Sequence, residues 1–367
     1  MKIVHTCNRY YPYFGGLEAH VQNISEKMVK FGHEVYVYTT DPGGKLPSTE
    51  MLNGVMIYRF KSFAPRDSYF FSTELYRGLT RTSCDIIHGH DLNGFPLLAG
   101  ALAKRSRKFI ATLHVGAFSS YFRTLMRIPY DRVVMHTFLA RANRIICVSE
   151  YERRIYERIL RLPSNKFIVI PNGYDLSVNA HKNSTKEGRI ILSVGRLEKA
   201  KGFHYLLQSF AFINKDKEFD DVQLIIVGKG PYECRLRKLI SKLGLTGRVH
   251  MFQNVPRNKL LELYAQCTAF VLLSNYESSG LAVMDAFALQ KPTITSTAAV
   301  LGEYARRGFS VGVTFPSRAE GLAIQIENVL RNPSKYKPKR FEMLSWTDVA
   351  NRTLAVYNQA LNESAFS

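Results

Sequence analysis

Short apolar runs alternate with longer amphipathic stretches along most of the chain. After an apolar run at 3–4, apolar side chains at 21, 24, 28 and 29 have the spacing of one helix face, and Gly32 ends that helix. Residues 34–39 then predict a strand. The same alternation recurs at 85–88, 96–104, 109–113, 144–148 and 167–170. Nearly continuous apolar strands separated by helices predict a parallel sheet that is covered on both faces.

A second series of strands and helices begins after a polar segment. Residues 171–188 are rich in Asn, Ser, Gly and charged side chains, so we interpret them as a linker. Beyond it, the pattern predicts strands at 189–194, 222–227, 249–252, 269–273 and 292–296, and helices at 203–210, 232–243, 260–266 and 346–361. The chain is therefore predicted to be α/β with two doubly wound domains. We expect its ligand in the crevice at the carboxyl ends of both sheets.

The composition predicts a cytoplasmic protein that attracts anions. No run approaches the ~18 apolar residues of a membrane span, and the apolar start is too brief for a signal peptide. The five cysteines include no CxxC pair, which disfavours a zinc knuckle, a redox motif or a disulfide framework. The formal net charge of +20 favours nucleotide diphosphates, acidic lipid headgroups or nucleic acid as partners. Nucleic acid is the least expected, because the chain has no RNP-type aromatic stripe, helix-turn-helix pattern or zinc-finger spacing.

Two loops carry the residue types that bind phosphates. Gly15-Gly16 lies between the first predicted strand and helix, where glycine lets backbone N–H groups approach a phosphate; a tight turn without a ligand would use the same residues. Arg196 and Lys201 flank the corresponding connection after the strand at 189–194. A fork-shaped guanidinium and a point-charge ammonium can clamp a diphosphate there, although surface cations without a ligand are the commoner case.

The other candidates are carboxylates and imidazoles near strand ends. Glu277 is predicted on a loop and Asp285 one turn into the next helix, where carboxylates suit sugar hydroxyls; Asp285 would equally stabilise the helix dipole. His114 follows the strand at 109–113, so it either points into the crevice or is a structural histidine. His88 and His90 share a strand face, but the sequence identifies no third ligand, so we predict no metal site.

Several motifs follow one another in a familiar order. They are Gly15-Gly16-Leu17-Glu18, Asp85-Ile86-Ile87-His88-Gly89-His90, Thr112-Leu113-His114, Val148-Ser149, Ile170-Pro171-Asn172-Gly173-Tyr174-Asp175, Gly195-Arg196-Leu197 with Lys201-Gly202, Val227-Gly228-Lys229-Gly230-Pro231, Glu277 with Gly280-Leu281 and Asp285, and Phe341, Trp346 and Tyr357. In this order they resemble the retaining glycosyltransferases of the GT-B fold, family four, over nearly the whole chain. The resemblance implies two Rossmann-like domains that face a central cleft. The acceptor-side domain would be 1–175, with a C-terminal helix at 342–367 packing back on it, and the nucleotide-sugar domain 176–341.

The resemblance also implies a role for each site residue. Gly15 and Gly16 would contact the donor diphosphate, and Arg196 and Lys201 would neutralise it as it leaves, so that no metal or other cofactor is needed. His114 would contact the transferred sugar. Glu277 would hold other sugar hydroxyls, and Asp285, where the family usually has Glu, would hold the ribose. The remaining donor-binding residues would be Gly195, Gly228, Gly230, Pro231, Gly280 and Leu281.

We therefore expect a retaining, metal-independent transfer of a hexose from a nucleotide-diphosphate sugar to a lipid-linked or glycan acceptor. The alternatives are another GT-B enzyme, such as a sugar-nucleotide epimerase, and a degenerate non-catalytic or nucleic-acid-binding basic protein. The segment 121–161 also favours contact with an anionic membrane on its inner face, although a solvated helix face has the same composition. Its arginines are at 123, 127, 132, 141, 144, 153, 154, 158 and 161.

Overall fold

The chain folds into two compact units. They are Met1–Tyr174 with Leu344–Ser367, and Asp175–Met343. The computed structural model describes residues 1–13, 15–65, 68–114, 131–174, 189–316, 318–339 and 342–363, and of Asp131 and Arg132 the backbone alone. Each unit contains one largely or wholly parallel sheet, which confirms the predicted α/β class with two parallel-sheet domains.

The first unit is built on an eight-stranded sheet. Its strands are β1 (Lys2–Thr6), β2 (Glu34–Thr40), β3 (Thr49–Leu52), β4 (Val55–Phe60), β5 (Ile86–His90), β6 (Lys108–Thr112), β7 (Arg144–Cys147) and β8 (Phe167–Val169). They lie in the order β3-β4-β2-β1-β5-β6-β7-β8, and all neighbours are parallel except β3 and β4. The order reverses between β1 and β5, so their carboxyl ends flank a topological switch point.

The helices of the first unit come from both ends of the chain. They are α1 (Gly16–Lys30), α2 (Thr73–Arg81), α3 (Phe95–Ala103), α4 (His136–Leu139), α5 (Glu150–Leu160) and α12 (Trp346–Asn362), with a π-helical turn at Asp131–Met135 and a 3₁₀ turn at Ser164–Lys166. A capping box between Ser345 and Asp348 begins α12. The buried side chains of Val349 and Tyr357 then join the core formed around α1 and the central strands.

The second unit has a six-stranded, fully parallel sheet. Its strands are β9 (Ile190–Val194), β10 (Gln223–Val227), β11 (Val249–Phe252), β12 (Ala269–Leu272), β13 (Thr293–Ser296) and β14 (Val311–Val313), in the order β11-β10-β9-β12-β13-β14. Its helices are α6 (Phe203–Ile213), α7 (Glu233–Lys242), α8 (Arg257–Gln266), α9 (Leu281–Ala288), α10 (Ala299–Arg306) and α11 (Ala319–Arg331), with 3₁₀ turns at Lys199–Lys201, Lys217–Phe219 and Pro333–Tyr336. This is the strand order of a dinucleotide-binding fold, with its switch point between β9 and β12.

The structure departs from the predicted element pattern at several places. The antiparallel hairpin of β3 and β4 was not predicted, and it makes the first sheet mixed. The sequence analysis also did not predict α2, α4, α5, α10, α11 and β14. Among the described residues, no helix combines the length and the apolar character needed to cross a bilayer.

Candidate active site

In the second unit, two glycine-containing loops pack against each other at the carboxyl ends of β9 and β10. The N–H of Gly195 donates to the carbonyl of Val227 at 3.0 Å. A Cβ at Gly228 would lie 1.9 Å from the carbonyl oxygen of Gly195, and a Cβ at Gly230 would lie 2.4 Å from that of Leu197. Both positions therefore require glycine, since any side chain would push the loops apart. Exposed Pro231 follows them, just before α7.

A third close approach fixes the position of Lys201. Gly202 has φ +73°, and a Cβ there would lie 2.2 Å from the carbonyl oxygen of Leu273, at the end of β12. The backbone N–H of Asn275 also donates to the carbonyl of Ala200 at 2.8 Å. The loop after β9 is thus held against the loop after β12, and these are the two loops at the switch point of this sheet.

Lys201 and Glu277, both predicted site residues, form an ion pair across these two loops. Lys201 Nζ lies 2.5 Å from Glu277 Oε1, and the two side chains are 17% and 16% exposed. The buried Ser274 donates its hydroxyl to the same oxygen at 2.8 Å. Neither bond uses Oε2 of Glu277, and a carboxylate oxygen of this kind can accept from a sugar hydroxyl.

Arg196 lies on the same loop but is more open to solvent. Its side chain is 67% exposed, and its Nε lies 3.0 Å from Oε1 of Glu198. An exposed ion pair of this kind contributes little stability, because water screens both charges. The guanidinium can therefore be recruited by an anionic ligand without breaking a strong contact.

Asp285 does not act as a helix-terminus carboxylate in this structure. Gly280, with φ +65°, is the N-cap of α9, Leu281 is the first helical residue, and Asp285 lies one turn later with 6% exposure. Its two oxygens accept from Nη1 and Nη2 of Arg257 at 2.6 and 2.5 Å. The sequence analysis missed Arg257, because nothing in its local pattern at the start of α8 links it to a residue 28 positions later.

In the first unit, the predicted Gly15-Gly16 motif forms the N-terminus of α1. Gly15 is the extended N-cap, and both glycines are exposed. A Cβ at Gly15 would lie 2.3 Å from Oε2 of Glu18, so the carboxylate of Glu18 lies over the first turn of the helix. A negative group is favoured there by the unsatisfied N–H groups and the helix dipole.

His114 belongs to a group of five imidazoles at the switch point of the first sheet, which we call the histidine cluster: His5, His20, His88, His90 and His114. His5 lies in β1 and pairs in register with His88 of β5. His114 follows β6 and has φ +43°. Four of the five are at most 1% exposed, and His114 is partly exposed. His5 is the third imidazole beside His88 and His90 that the sequence analysis did not identify.

Hydrogen bonds connect most of the histidine cluster. His88 is fully engaged, with Nδ1 2.6 Å from the hydroxyl of Tyr357 and Nε2 2.7 Å from that of Thr112. Nδ1 of His20 lies 2.8 Å from Oδ1 of Asn172. The remaining members, His5, His90 and His114, contact one another: Nδ1 of His5 lies 3.0 Å from Nε2 of His90, and Nδ1 of His90 lies 3.4 Å from Nε2 of His114.

Burial keeps the cluster neutral. Removal from water lowers the pKa of His5 to about 3 and that of His20 to about 4. The same desolvation, with the neighbouring imidazoles, holds the pKa values of His88, His90 and His114 well below their ordinary value. One ring nitrogen each from His20, His90 and His114 lies within 4.8 Å of the others, as for His5, His88 and His90. That the reaction needs no metal stays a prediction.

The sequence carried one unused signal for this cluster. Four of its members, all except His20, lie near the carboxyl ends of predicted strands, and in a parallel sheet those ends meet at one edge. Histidine near the carboxyl ends of adjacent strands therefore predicts proximity. His20, from the buried face of α1, has no such local signal.

Two family models match successive parts of the chain. Residues 14–178 match the model described as Glycosyltransferase Family 4, and residues 178–342 match the one described as Glycosyl transferases group 1. A curated relative, the GDP-mannose:cellobiosyl-diphosphopolyprenol alpha-mannosyltransferase of Xanthomonas oryzae pv. oryzae, is 24% identical over 98% of this chain and 97% of its own length.

Solved structures share the fold at lower identity. The sucrose-phosphate synthase of Thermosynechococcus elongatus has a TM-score of 0.77 at 20% identity and covers 99% of each chain. HepE of Anabaena, in complex with UDP-glucose, has a TM-score of 0.70 at 18% identity and covers 100% of this chain and 99% of its own. These solved structures therefore share the fold of both units.

Proposed function

Because the chain is a glycosyltransferase of group 1 with the GT-B fold, we propose that it moves a hexose from a nucleotide-diphosphate sugar to a lipid-linked or glycan acceptor, with retention and without a metal. The observation that carries this proposal is the pairing of Lys201 with Glu277 beside exposed Arg196. A cation for the diphosphate and a carboxylate for the sugar are thereby held at one sheet edge.

In the proposed reaction, the acceptor oxygen forms a bond to the anomeric carbon as the bond from that carbon to the donor phosphate breaks. The leaving phosphate takes the proton of the acceptor hydroxyl. Arg196 and Lys201 stabilise the charge that develops on the nucleoside diphosphate, which is the largest electrostatic demand of the step. Glu277 and His114 hold sugar hydroxyls, and Gly15 and Gly16 present N–H groups to the diphosphate.

The pairing of Asp285 with Arg257 changes the contact that we expect with the ribose. Asp285 uses both oxygens for that guanidinium, so we propose that the ribose hydroxyls meet the pair of Asp285 and Arg257 and not a lone carboxylate. Gly195, Gly228, Gly230, Pro231, Gly280 and Leu281 would complete the donor site in this unit. The names of the relatives suggest GDP-mannose and UDP-glucose as the first donors to test.

The acceptor and the location are also part of the proposal. The named relative acts on a diphosphopolyprenol-linked acceptor, and a protein that works on such a lipid must reach the membrane. We propose peripheral contact with an anionic membrane through the segment 121–161. Its residues 121–130 lie outside the described part of the chain, and within the described part Arg154, Arg158 and Arg161 are exposed.

A double substitution tests the proposed function. Arg196→Ala with Lys201→Ala should lower the transfer rate at least about 100-fold, because each cation stabilises the same developing charge. The matched control is Lys199→Ala, an exposed cation on the same loop, which should change the rate less than about twofold. Rates would be measured with GDP-mannose and UDP-glucose, a polyprenyl-diphosphate glycan and excess EDTA.

The assay also separates the alternatives. Conversion of the donor without an acceptor would indicate an epimerase. Full transfer by the double variant would refute the proposed role of the two cations, and loss of all transfer in EDTA would refute metal independence.

A further inference from the structure

Three members of the histidine cluster form a continuous chain of hydrogen bonds. Nδ1 of His5 meets Nε2 of His90 at 3.0 Å, and Nδ1 of His90 meets Nε2 of His114 at 3.4 Å. His5 and His90 have no exposed surface, whereas His114 is partly exposed. This chain of hydrogen bonds therefore begins inside the first unit, at His5, and ends at His114, the imidazole that is proposed to contact the sugar.

The number of N–H hydrogens on the three imidazoles allows this chain of hydrogen bonds only two arrangements. A neutral imidazole has one N–H donor and one bare nitrogen acceptor, and burial lowers the pKa values of all three residues so that they are neutral at pH 7. Either His5 donates to His90 and His90 donates to His114, or both bonds run in the opposite direction. The first arrangement leaves the hydrogen of His114 on Nδ1, and the second places it on Nε2.

The buried end of the chain distinguishes the two arrangements. Nε2 of His5 is buried and has no hydrogen-bond partner. In the first arrangement this nitrogen is a bare acceptor, and in the second it is an N–H without a partner. Buried donors without a partner are rarer in proteins than under-used acceptors, so the first arrangement is favoured.

The neighbouring His20 does not reverse this assignment. Its ring centre lies 4.3 Å from that of His114, in an edge-to-face arrangement. Its Nδ1 lies 2.8 Å from the side-chain amide oxygen Oδ1 of Asn172 and so carries the hydrogen, which leaves Nε2 as an acceptor. His20 therefore has no second N–H to give to Nε2 of His114, and His90 is the donor that the geometry provides.

We propose that His5 and His90 are positioning residues that fix His114 in its Nδ1–H tautomer, so that His114 presents an N–H donor to the transferred sugar. The sugar as recipient rests on the proposed function, whereas the tautomer does not. An Nδ1–H donor binds a hydroxyl or ring oxygen through a lone pair, and the opposite tautomer would offer that oxygen an acceptor. His5 and His90 thus determine the hydrogen-bonding character of a residue several ångströms away.

The tautomer can be measured without substrate. The ten histidines would be labelled with ¹⁵N, and the imidazole signals of His114 would be assigned by their loss in His114→Ala. At pH 7.5 we expect a protonated Nδ1 and a bare Nε2, although free histidine in water favours the reverse. A protonated Nε2, or protons on both nitrogens, would overturn the proposal. This result holds whether or not the protein transfers sugar.

A double-mutant cycle tests whether His90 acts through His114. His90→Leu removes both ring nitrogens, and we expect kcat/KM to fall at least about tenfold, as for other residues that orient an active-site imidazole. In a His114→Ala background the same change should have no further effect. His90→Gln, whose amide can donate to His114, should recover part of the loss. An equal loss in both backgrounds would contradict the proposal.

Two further variants serve as a control and as a replacement if His90→Leu misfolds. Tyr357→Phe removes a hydrogen bond from His88, which lies in the cluster but outside the chain, and should leave kcat/KM within about twofold. If His90→Leu does not fold, His5→Leu takes its place, because it removes the N–H donor to His90 one step further from the sugar. In that variant the ¹⁵N signals of His114 should show a mixture of tautomers, and an unchanged single tautomer would rule out a role for His5.

Discussion

At the scale of single residues, Asp285 shows how a site residue depends on a partner that is distant in the sequence. Its carboxylate is buried and is held by both terminal nitrogens of Arg257. The family resemblance predicts a carboxylate at this position, but local sequence cannot predict which cation compensates its burial. The family usually has Glu at this position. The shorter Asp285 side chain found here forms two hydrogen bonds with the guanidinium of Arg257.

Removing one partner of this pair should destabilise the second unit. Arg257→Met leaves a buried carboxylate with lost hydrogen bonds, and we expect the free energy of unfolding to fall by about 1–3 kcal/mol. The lower end is favoured because the Arg257 side chain is 51% exposed. Adding Asp285→Asn should restore most of the loss, since no buried charge remains. Urea unfolding followed by far-UV circular dichroism measures both effects, and a double variant less stable than Arg257→Met would contradict this account.

At the scale of elements, the sequence predicted the strands of the two sheets better than the peripheral pieces. Buried parallel strands are nearly continuous apolar runs, so their predicted bounds lie within one or two residues of the structure, as for β2 and β13. The hairpin of β3 and β4 was missed although Asn53-Gly54 joins them. Both residues have positive φ, 51° and 81°, which is the signature of a two-residue hairpin turn.

The arginine-rich segment shows why composition alone does not define a surface. The helix α5 carries Arg153, whose guanidinium bonds Glu150 and Glu157 on the same helix at 2.9 and 3.1 Å. Arg144 likewise pairs with Glu363. These charges are compensated within the protein, so only part of the segment is able to attract an anionic surface.

A charge-reversal experiment on α5 tests the proposed membrane contact. Arg154→Glu with Arg158→Glu should weaken binding to phosphatidylserine vesicles at low salt at least about tenfold, since each basic residue near the surface contributes about 1 kcal/mol. The control is Arg235→Glu with Lys238→Glu on α7, which are also exposed and change the net charge equally. Co-sedimentation measures binding. Equal loss in both variants, or no binding of the wild type at low salt, would refute a contact through α5.

At the scale of the whole molecule, the fold class and the division into two sheets followed from the alternation of strands and helices. The histidine cluster did not, because it assembles residues from β1, α1, β5 and the end of β6. Its stability is tied to its neutrality, since burial disfavours the charged imidazoles. Protonation of these imidazoles therefore destabilises the first unit.

We expect the first unit to lose stability as the pH falls below about 6.5. Between that value and the lowered pKa values of His5 and His20, about 3 and 4, the unfolded chain binds protons that the folded chain does not. The free energy of unfolding then decreases by up to about 1.4 kcal/mol per pH unit for each residue. The one tryptophan, Trp346, lies at the start of α12 in this unit, so its fluorescence reports the transition.

A comparison of variants isolates the contribution of the cluster from that of carboxylates. His5→Leu should reduce the slope of stability against pH between 6.5 and 4, whereas His250→Gln, at an exposed position, should not change it. Equal slopes for the wild type and His5→Leu would show that His5 is not held neutral by the fold.

The position of α12 has a consequence for how the protein is made. Ribosomes synthesise residues 346–362 after the whole of the second unit, yet Val349, Tyr357 and Ala360 are core residues of the first. The unit whose synthesis begins first is thus completed last. Its core lacks α12, and the apolar surface beside α1 stays uncovered, while some 170 residues of the second unit are translated. At typical elongation rates that interval is on the order of ten seconds or more, long enough for chaperones to shield that surface.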